Sequence, residues 1–306
     1  MTNEQSEAGQ IHAAKLPTLL PPDRLRIRPG ADGVVATDPA RSGWRYLSFQ
    51  TIRLRAGETV AVGSADQETA IVTISGGGVD LKVDGADFRL VGRPSVFEGM
   101  PWSAYLPAGT IGRIVGRPLA GRDAVVAVAQ APLSGRSGVA SEPILVTPAD
   151  VEIEIRGAGN ATRQVNNIMM PGFPADRLLV CEVFTPNGNW SGWPPHKHDI
   201  DDPPREAVLE ETYFYQMSRP EGWAIQRVYH RDGSRDAFLP VQHGDLVIVD
   251  QGYHPFASTQ GYDAYYLNVL AGDRRTMANS DDPDLAWVRT LWPSMAPDPR
   301  LPLVRP

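Results

Sequence analysis

The sequence predicts an all-β fold: two successive jelly-roll barrels (double-stranded β-helices) with few short helices. Three observations lead there. Short apolar, β-branched runs recur from Tyr46 onward, each bounded by turn residues. Glycine and proline are both frequent, at 29 and 28 of 306 residues, which suits many turns better than long helices. The strand rhythm pauses at residues 131–150 (APLSGRSGVASEPILVTPAD) and then resumes, which divides the chain in two.

Taken in order, residues 1–20 read as an N-terminal arm. Residues 21–140 make the first barrel, with strand-like segments in "YLSFQTIRL", "TVAV", "TAIVTISGGGVDLKVDG", "SVFEGMPWSAYLPAG", "IGRIVG" and "DAVVAVAQA". Residues 141–306 make the second, through "VEIEIRG", "RLLVCEVFTP", "LEETYFYQM", "WAIQRVYH", "GDLVIVDQGYHPF" and "DAYYLNVLAG". Residues 281–292 (DDPDLAWVRTLW) join an acidic first turn to apolar positions at helical spacing and predict one helix. The halves are alike in rhythm more than in identity.

Composition narrows the function. Apolar residues are 42% of the chain, enough for a sizeable core, and a net charge of −7 with no basic run argues against a nucleic-acid surface. No stretch approaches the roughly 18 apolar residues that span a bilayer. Met1–Gly9 has neither the basic nor the apolar region of a signal peptide. Cys181 is the only cysteine, so no intrachain disulfide can form, as suits a reducing compartment. The expectation is a cytoplasmic protein with neither a membrane nor a nucleic-acid partner.

Chemistry concentrates in the second half. His12 lies in the arm; the other histidines are His196, His198, His230, His243 and His254. The first barrel therefore carries no metal motif. In "PPHKHD", alternation along an extended segment points His196 and His198 to one face and Lys197 to the other. Imidazole is the commonest ligand for zinc, manganese, iron and nickel. "HGDLVIVDQGYHP" resembles the second motif of cupins, with Gly244, Gly252 and His254 nearly in frame; Asp250 stands where proline is usual, and one residue is missing before the histidine. A glycine-permitted bend at Gly252 would aim His254 back into the barrel. A carboxylate should complete the set. The usual cupin position falls in "DIDDPPREAV", which reads as an inserted loop, so Glu210 and Glu211 are the candidates. Being adjacent in a strand, they face opposite ways and only one can be a ligand. Three histidines and one carboxylate leave coordination positions open, as catalytic sites do. His230 and His243 read as surface or turn residues.

The chain resembles the 5-deoxy-glucuronate isomerases of myo-inositol catabolism, a two-cupin family related to the 5-keto-4-deoxyuronate isomerases. The resemblance rests on "GNWSGWPPHKHD", "LEETYFYQ", "QRVYH", "GDLVIVDQGYHP", "GYDAYYLNVLAG", "DPRLPLV" and, in the first half, "GRPSVFEGMPWSAYLPAG". It implies a bicupin with one divalent ion, zinc or manganese foremost and iron or nickel as alternatives, held by His196, His198, Glu211 and His254. Glu211 is preferred over Glu210 because in the related group the ligand glutamate directly precedes the Tyr-Phe-Tyr strand. The chain departs from the pattern in its long N-terminal arm, in Trp193 where tyrosine is usual, and in His243 where a polar or acidic residue is expected.

The resemblance also implies conversion of 5-deoxy-glucuronate to 2-deoxy-5-keto-gluconate, an aldose–ketose isomerisation through a metal-stabilised enediol. A base must move the proton; the candidates are Glu210, Tyr229, Tyr253 and Tyr265, with Glu211 a further one if it leaves the metal. The substrate carboxylate needs a cation, with Arg227 first and Arg163, Arg274 and Arg275 as alternatives. Gln226 and Arg227 face opposite ways, so only one of them can reach the pocket. Asn268 is a polar residue in an apolar strand and must find a partner. The alternative functions are a metal-dependent cupin dioxygenase and a non-catalytic sugar-acid-binding cupin. The partner expected is a small sugar acid, and exposed strand edges leave homo-oligomer formation open.

Overall fold

Strand Ala124–Pro132 shows why the chain layers as it does. Val126 and Val128 pack into one apolar cluster, while Val125, Ala127, Ala129 and Ala131 pack into another on the opposite face. A strand with two apolar faces must lie between two cores, and this one does. The computed structural model describes residues 19–306. His12 and most of the expected arm lie outside the described residues.

The fold is all-β, as expected. Each half is a jelly roll of two facing antiparallel sheets. In the first half, the larger sheet runs Ile144–Val146, Ser103–Leu106, Gln67–Ser75, Ala124–Pro132, Ser48–Leu54, Ala36–Thr37. The larger sheet of the second half runs Arg26–Ile27, Leu246–Val249, Glu210–Met217, Ala264–Ala271, Leu179–Thr185, Arg163–Met169, Glu152–Arg156. The smaller sheet there contains Trp190–Ser191, Phe256–Ser258, Trp223–Tyr229 and Asp236–Gln242. The order of strands is the same in both halves, except that Glu152–Arg156 adds an edge strand to the second.

Two strands cross the division expected between residues 140 and 141. Arg26–Ile27 pairs with Leu246 and Val247 of the second half, and Ile144–Val146 pairs with Ser103–Tyr105 of the first. The exchange is reciprocal, and so is a pair of carboxylate clasps. Glu68 accepts the backbone N–H groups of Asp176, Arg177 and Leu178 at 2.7, 2.6 and 2.7 Å. Glu210 accepts those of Arg45, Tyr46 and Leu47 at 2.6, 2.9 and 2.8 Å. Both glutamates lie at the start of equivalent strands, Glu210 first in its own and Glu68 second. A buried carboxylate holding three amides is well compensated for its lost water.

The two large sheets lie back to back. Phe214 meets Phe49 across this interface with ring centroids 5.9 Å apart, and Phe97 packs against Phe184 and Tyr265. Arg93 from the first half forms a buried ion pair with Glu182, which also accepts from Tyr265 Oη at 2.8 Å and Asn166 Nδ2 at 3.2 Å.

The helix expected over 281–292 is corrected. Ser280–Asp281 pairs instead as a strand with His196–Lys197, and the Asp282 N–H binds Pro195 O at 2.7 Å. Helical structure, of the 3-10 type, begins only at Ala286 and runs to Ser294. No helix among the described residues is long and apolar enough to cross a membrane.

Replacing Arg93 by methionine strands a buried charge, so guanidinium denaturation should read a loss of about 3–5 kcal/mol. The double variant Arg93→Met/Glu182→Leu should recover much of it. Equal losses in the single and double variants would contradict this role for the pair.

Candidate metal centre

Strand Glu210–Met217 is buried along its whole length, so its alternation sorts side chains between two interiors. Glu210, Thr212 and Phe214 turn toward the first half; Glu211, Tyr213 and Tyr215 turn into the second jelly roll. Glu211 is 2% exposed. Its Oε1 accepts the Asn268 amide at 2.7 Å, which fixes the carboxylate plane. Its Oε2 lies 2.7 Å from His198 Nε2 and 3.2 Å from His254 Nε2.

His254 arrives by the bend expected at Gly252. That residue has φ +100°, and a Cβ there would sit 2.7 Å from Tyr229 O and from His230 Cδ2, so only glycine fits. His254 Nδ1 binds Gly252 O at 2.8 Å, which places the proton on Nδ1 and turns the bare Nε2 toward Glu211. Gln226 Nε2 holds the His254 carbonyl at 2.6 Å. The His196 ring lies 4.7 Å from that of His254 and 6.5 Å from that of His198. Lys197 faces away, as expected, and pairs with Glu206 at 2.7 Å.

His198, Glu211 and His254 form the one group among the described residues whose ligand atoms converge closely enough to hold a metal ion, and His196 stands beside it. The chemistry fits a cation. His254 Nε2 is buried without a hydrogen-bond partner, a costly state that a metal on the imidazole cluster would relieve. The second ring nitrogen of His198 and the indole nitrogen of Trp44 are both buried without partners, and the two residues line a cavity of about 60 Å³. That is room for water, which would give His198 the outer support that metal-bound imidazoles ordinarily have.

The electrostatics agree. Burial pushes the Glu211 carboxyl up, but the neighbouring His254 and His198 outweigh it and hold it well below the usual range. Burial, with His254 adding, holds His196 well below the usual imidazole value, so it is neutral. Burial opposes charge on His198, yet Glu211 raises it. Tyr213, 6.1 Å from the His254 ring, is pushed well up by burial and then by the Glu211 charge.

The other expected site residues fall elsewhere. Glu210 is committed to its three amides on the opposite face and is corrected as a catalytic candidate. Arg227 is corrected too: register places Gln226 inward and Arg227 outward, where it pairs with Asp236 at 2.7 and 3.0 Å and stacks on Tyr229. Tyr229 donates to Asp282 and stacks on Tyr253 with centroids 5.3 Å apart. Tyr265 faces the interface between the halves. Arg274 pairs with Asp201, and Arg275 caps the carbonyls of Met169, Met170 and Leu178. His230 and His243 are held locally, by Ser234 and by the Met217 backbone. Tyr213 and Tyr266, rings 4.6 Å apart, line the interior and are absent from the sequence-based candidates; the available signal is the alternation of Tyr213 with Glu211 and of Tyr266 with Asn268.

A family model described as the KduI/IolB family matches residues 20–288. The chain belongs to the KduI/IolB family. Among its KduI/IolB relatives, "5-deoxy-glucuronate isomerase" of Geobacillus kaustophilus (strain HTA426) is 42% identical over 264 residues, covering 85% of this chain and 92% of that one. An IolB-like protein of Salmonella typhimurium LT2 has a solved structure that is 37% identical, with a TM-score of 0.77 over 83% of this chain and 94% of that chain. A deletion mutant of Bacillus subtilis oxalate decarboxylase, 14% identical, shares the fold with a TM-score of 0.56 over 81% of this chain and 74% of that chain. The fold is the two-cupin arrangement expected for a KduI/IolB chain.

Because Asn268 supports Glu211 from behind, Asn268→Ala should weaken metal retention by roughly 10–100-fold in chelator competition. Glu210→Gln should leave metal content unchanged while lowering the melting temperature. The reverse pattern would overturn the assignment of faces.

Proposed function

We infer that this chain is a metal-dependent aldose–ketose isomerase that converts 5-deoxy-glucuronate to 2-deoxy-5-keto-gluconate, with His196, His198, Glu211 and His254 as ligands of one divalent ion. The observation that carries it is the buried carboxylate among three imidazoles, in a chain whose relatives over 85% of its length bear that enzyme name. A nitrogen-rich, borderline donor set suits zinc or manganese, with iron and nickel as alternatives.

A divalent ion in this site would supply Lewis-acid stabilisation for the negative charge that develops on two adjacent substrate oxygens. The chain's own residues do the rest. Asn268 and the Gly252 carbonyl fix Glu211 and His254 in their binding orientations. Tyr213 and Tyr266 wall the interior and exclude water, which strengthens every charge interaction there. Ser191 Oγ and Tyr266 Oη, 2.6 Å apart, place a hydroxyl pair at that wall. The single cysteine, Cys181, is a buried free thiol, which supports placing the enzyme in a reducing cytoplasm.

Incubation of metal-loaded protein with 5-deoxy-glucuronate in D2O, followed by proton NMR, tests this reading. Aldehyde-hydrate signals should fall as a keto acid appears, with deuterium at the carbon that receives the proton. No conversion with metal bound would sink the proposal.

A further inference from the structure

Strands Glu152–Arg156 and Arg163–Met169 are antiparallel, and their register sets Arg156 directly opposite Arg163. Like charges facing each other across a ladder are destabilising, so this pair calls for a reason. Alternation gives its direction. Gln164 and Asn166 point to the interface between the halves, binding Val304 O and Glu182. Val165 lies opposite Val183 and Asn167 opposite Cys181, whose Sγ is 3.8 Å from Asn268 Oδ1, behind Glu211. Arg163 therefore ends the row of side chains that faces the candidate metal centre.

One guanidinium there has no carboxylate partner. Arg156 is committed to Glu154 at 2.7 and 2.8 Å, and Arg289 is paired with Asp281. Among the described residues Arg163 forms no ion pair; its side-chain bond is a 3.5 Å contact to Ala161 O. Burial pulls its pKa down; Tyr266 opposes, and Arg156 and Arg289 pull it further. The Arg163 charge in turn adds to the lowering of His196. Of these three guanidiniums, Arg156 and Arg289 each have a carboxylate partner and Arg163 has none among the described residues.

We propose that Arg163, backed by Arg156, is the subsite that takes the substrate's carboxylate and selects sugar acids over neutral sugars. The carboxylate of a sugar acid would supply the ion-pair partner that Arg163 lacks, and a guanidinium receives a carboxylate through two parallel N–H···O bonds. The aldehyde end then lies toward His196 and Glu211. This rests on the isomerase reading only for the identity of the substrate; the anion site stands on its own geometry.

The test uses D-gluconate, an acid with no aldehyde to isomerise, and D-sorbitol, its neutral counterpart, in calorimetric titrations of metal-loaded protein. Arg163→Met should weaken gluconate binding by roughly 30-fold or more, while Arg227→Met should not. Sorbitol binding should be the same in wild type and variant. Arg163→Lys should recover part of the loss, since it restores charge without the planar fork. Arg163→Met should also melt no lower than wild type, because it relieves the opposed pair; a residue kept for structure would do the opposite. With 5-deoxy-glucuronate, KM should rise far more than kcat falls. Gluconate bound through Arg163 by a protein that does not turn over 5-deoxy-glucuronate would keep the subsite and reject the isomerase reading. Unchanged gluconate affinity in Arg163→Met, or no gluconate binding by wild type, would overturn the subsite.

Discussion

A carboxylate that is 2% exposed must be surrounded by groups that replace its water, and the second half of this protein is organised around meeting that demand for Glu211. One oxygen is held by Asn268, and the other faces His198 and His254. Each of those supports is itself supported. Gly252 O fixes the His254 tautomer, and Gln226 fixes the His254 carbonyl. Tyr215 Oη in turn donates to Gln226. A site assembled this way is rigid because each polar group is the answer to another one's desolvation.

That rigidity needs a backing, and the first half supplies it. The strand that carries Glu211 inward carries Phe214 outward onto Phe49. The two halves repeat one topology, exchange a strand in each direction, and clasp each other through Glu68 and Glu210. In the first half the position next to the clasp is Thr69, which receives Gln130 Nε2 at 3.1 Å where the second half has Glu211. Its interior is otherwise filled by Leu54, Ile71, Val79, Leu81 and their neighbours. The interior of one copy of the fold is thus apolar, and that of the other carries the polar groups of the candidate site.

Much of this could be read in the residues. The His-x-His alternation and the bend at Gly252 are local geometry, and both hold. Parity along a strand was harder to read. Glu210 and Glu211 are adjacent, as are Gln226 and Arg227, and in each case chemistry alone favours neither. Family resemblance distinguishes Glu211 from Glu210, and charge favours Arg227, whereas register turns the neutral Gln226 inward. Strand Asp236–Gln242 was not among the expected elements; Pro240 weakens its strand signal, and it lies at a sheet edge, where proline is tolerated. Strand Arg163–Met169 was likewise not among the expected elements, and its sequence carries polar residues on both faces. One face meets Glu182 across the interface and the other meets the site, so its polarity reflects two separate demands.

The proposal places one divalent ion between His196, His198, Glu211 and His254, at the heart of this network. Anomalous diffraction from crystals of the metal-loaded protein, collected at the metal's absorption edge, tests it most directly. The account predicts a single peak bounded by all four side chains, at about 2.0–2.2 Å from their ligand atoms, with at least one coordination position left to solvent. A peak that lacks Glu211, a closed shell made by protein alone, or a metal bound elsewhere on the chain would contradict it.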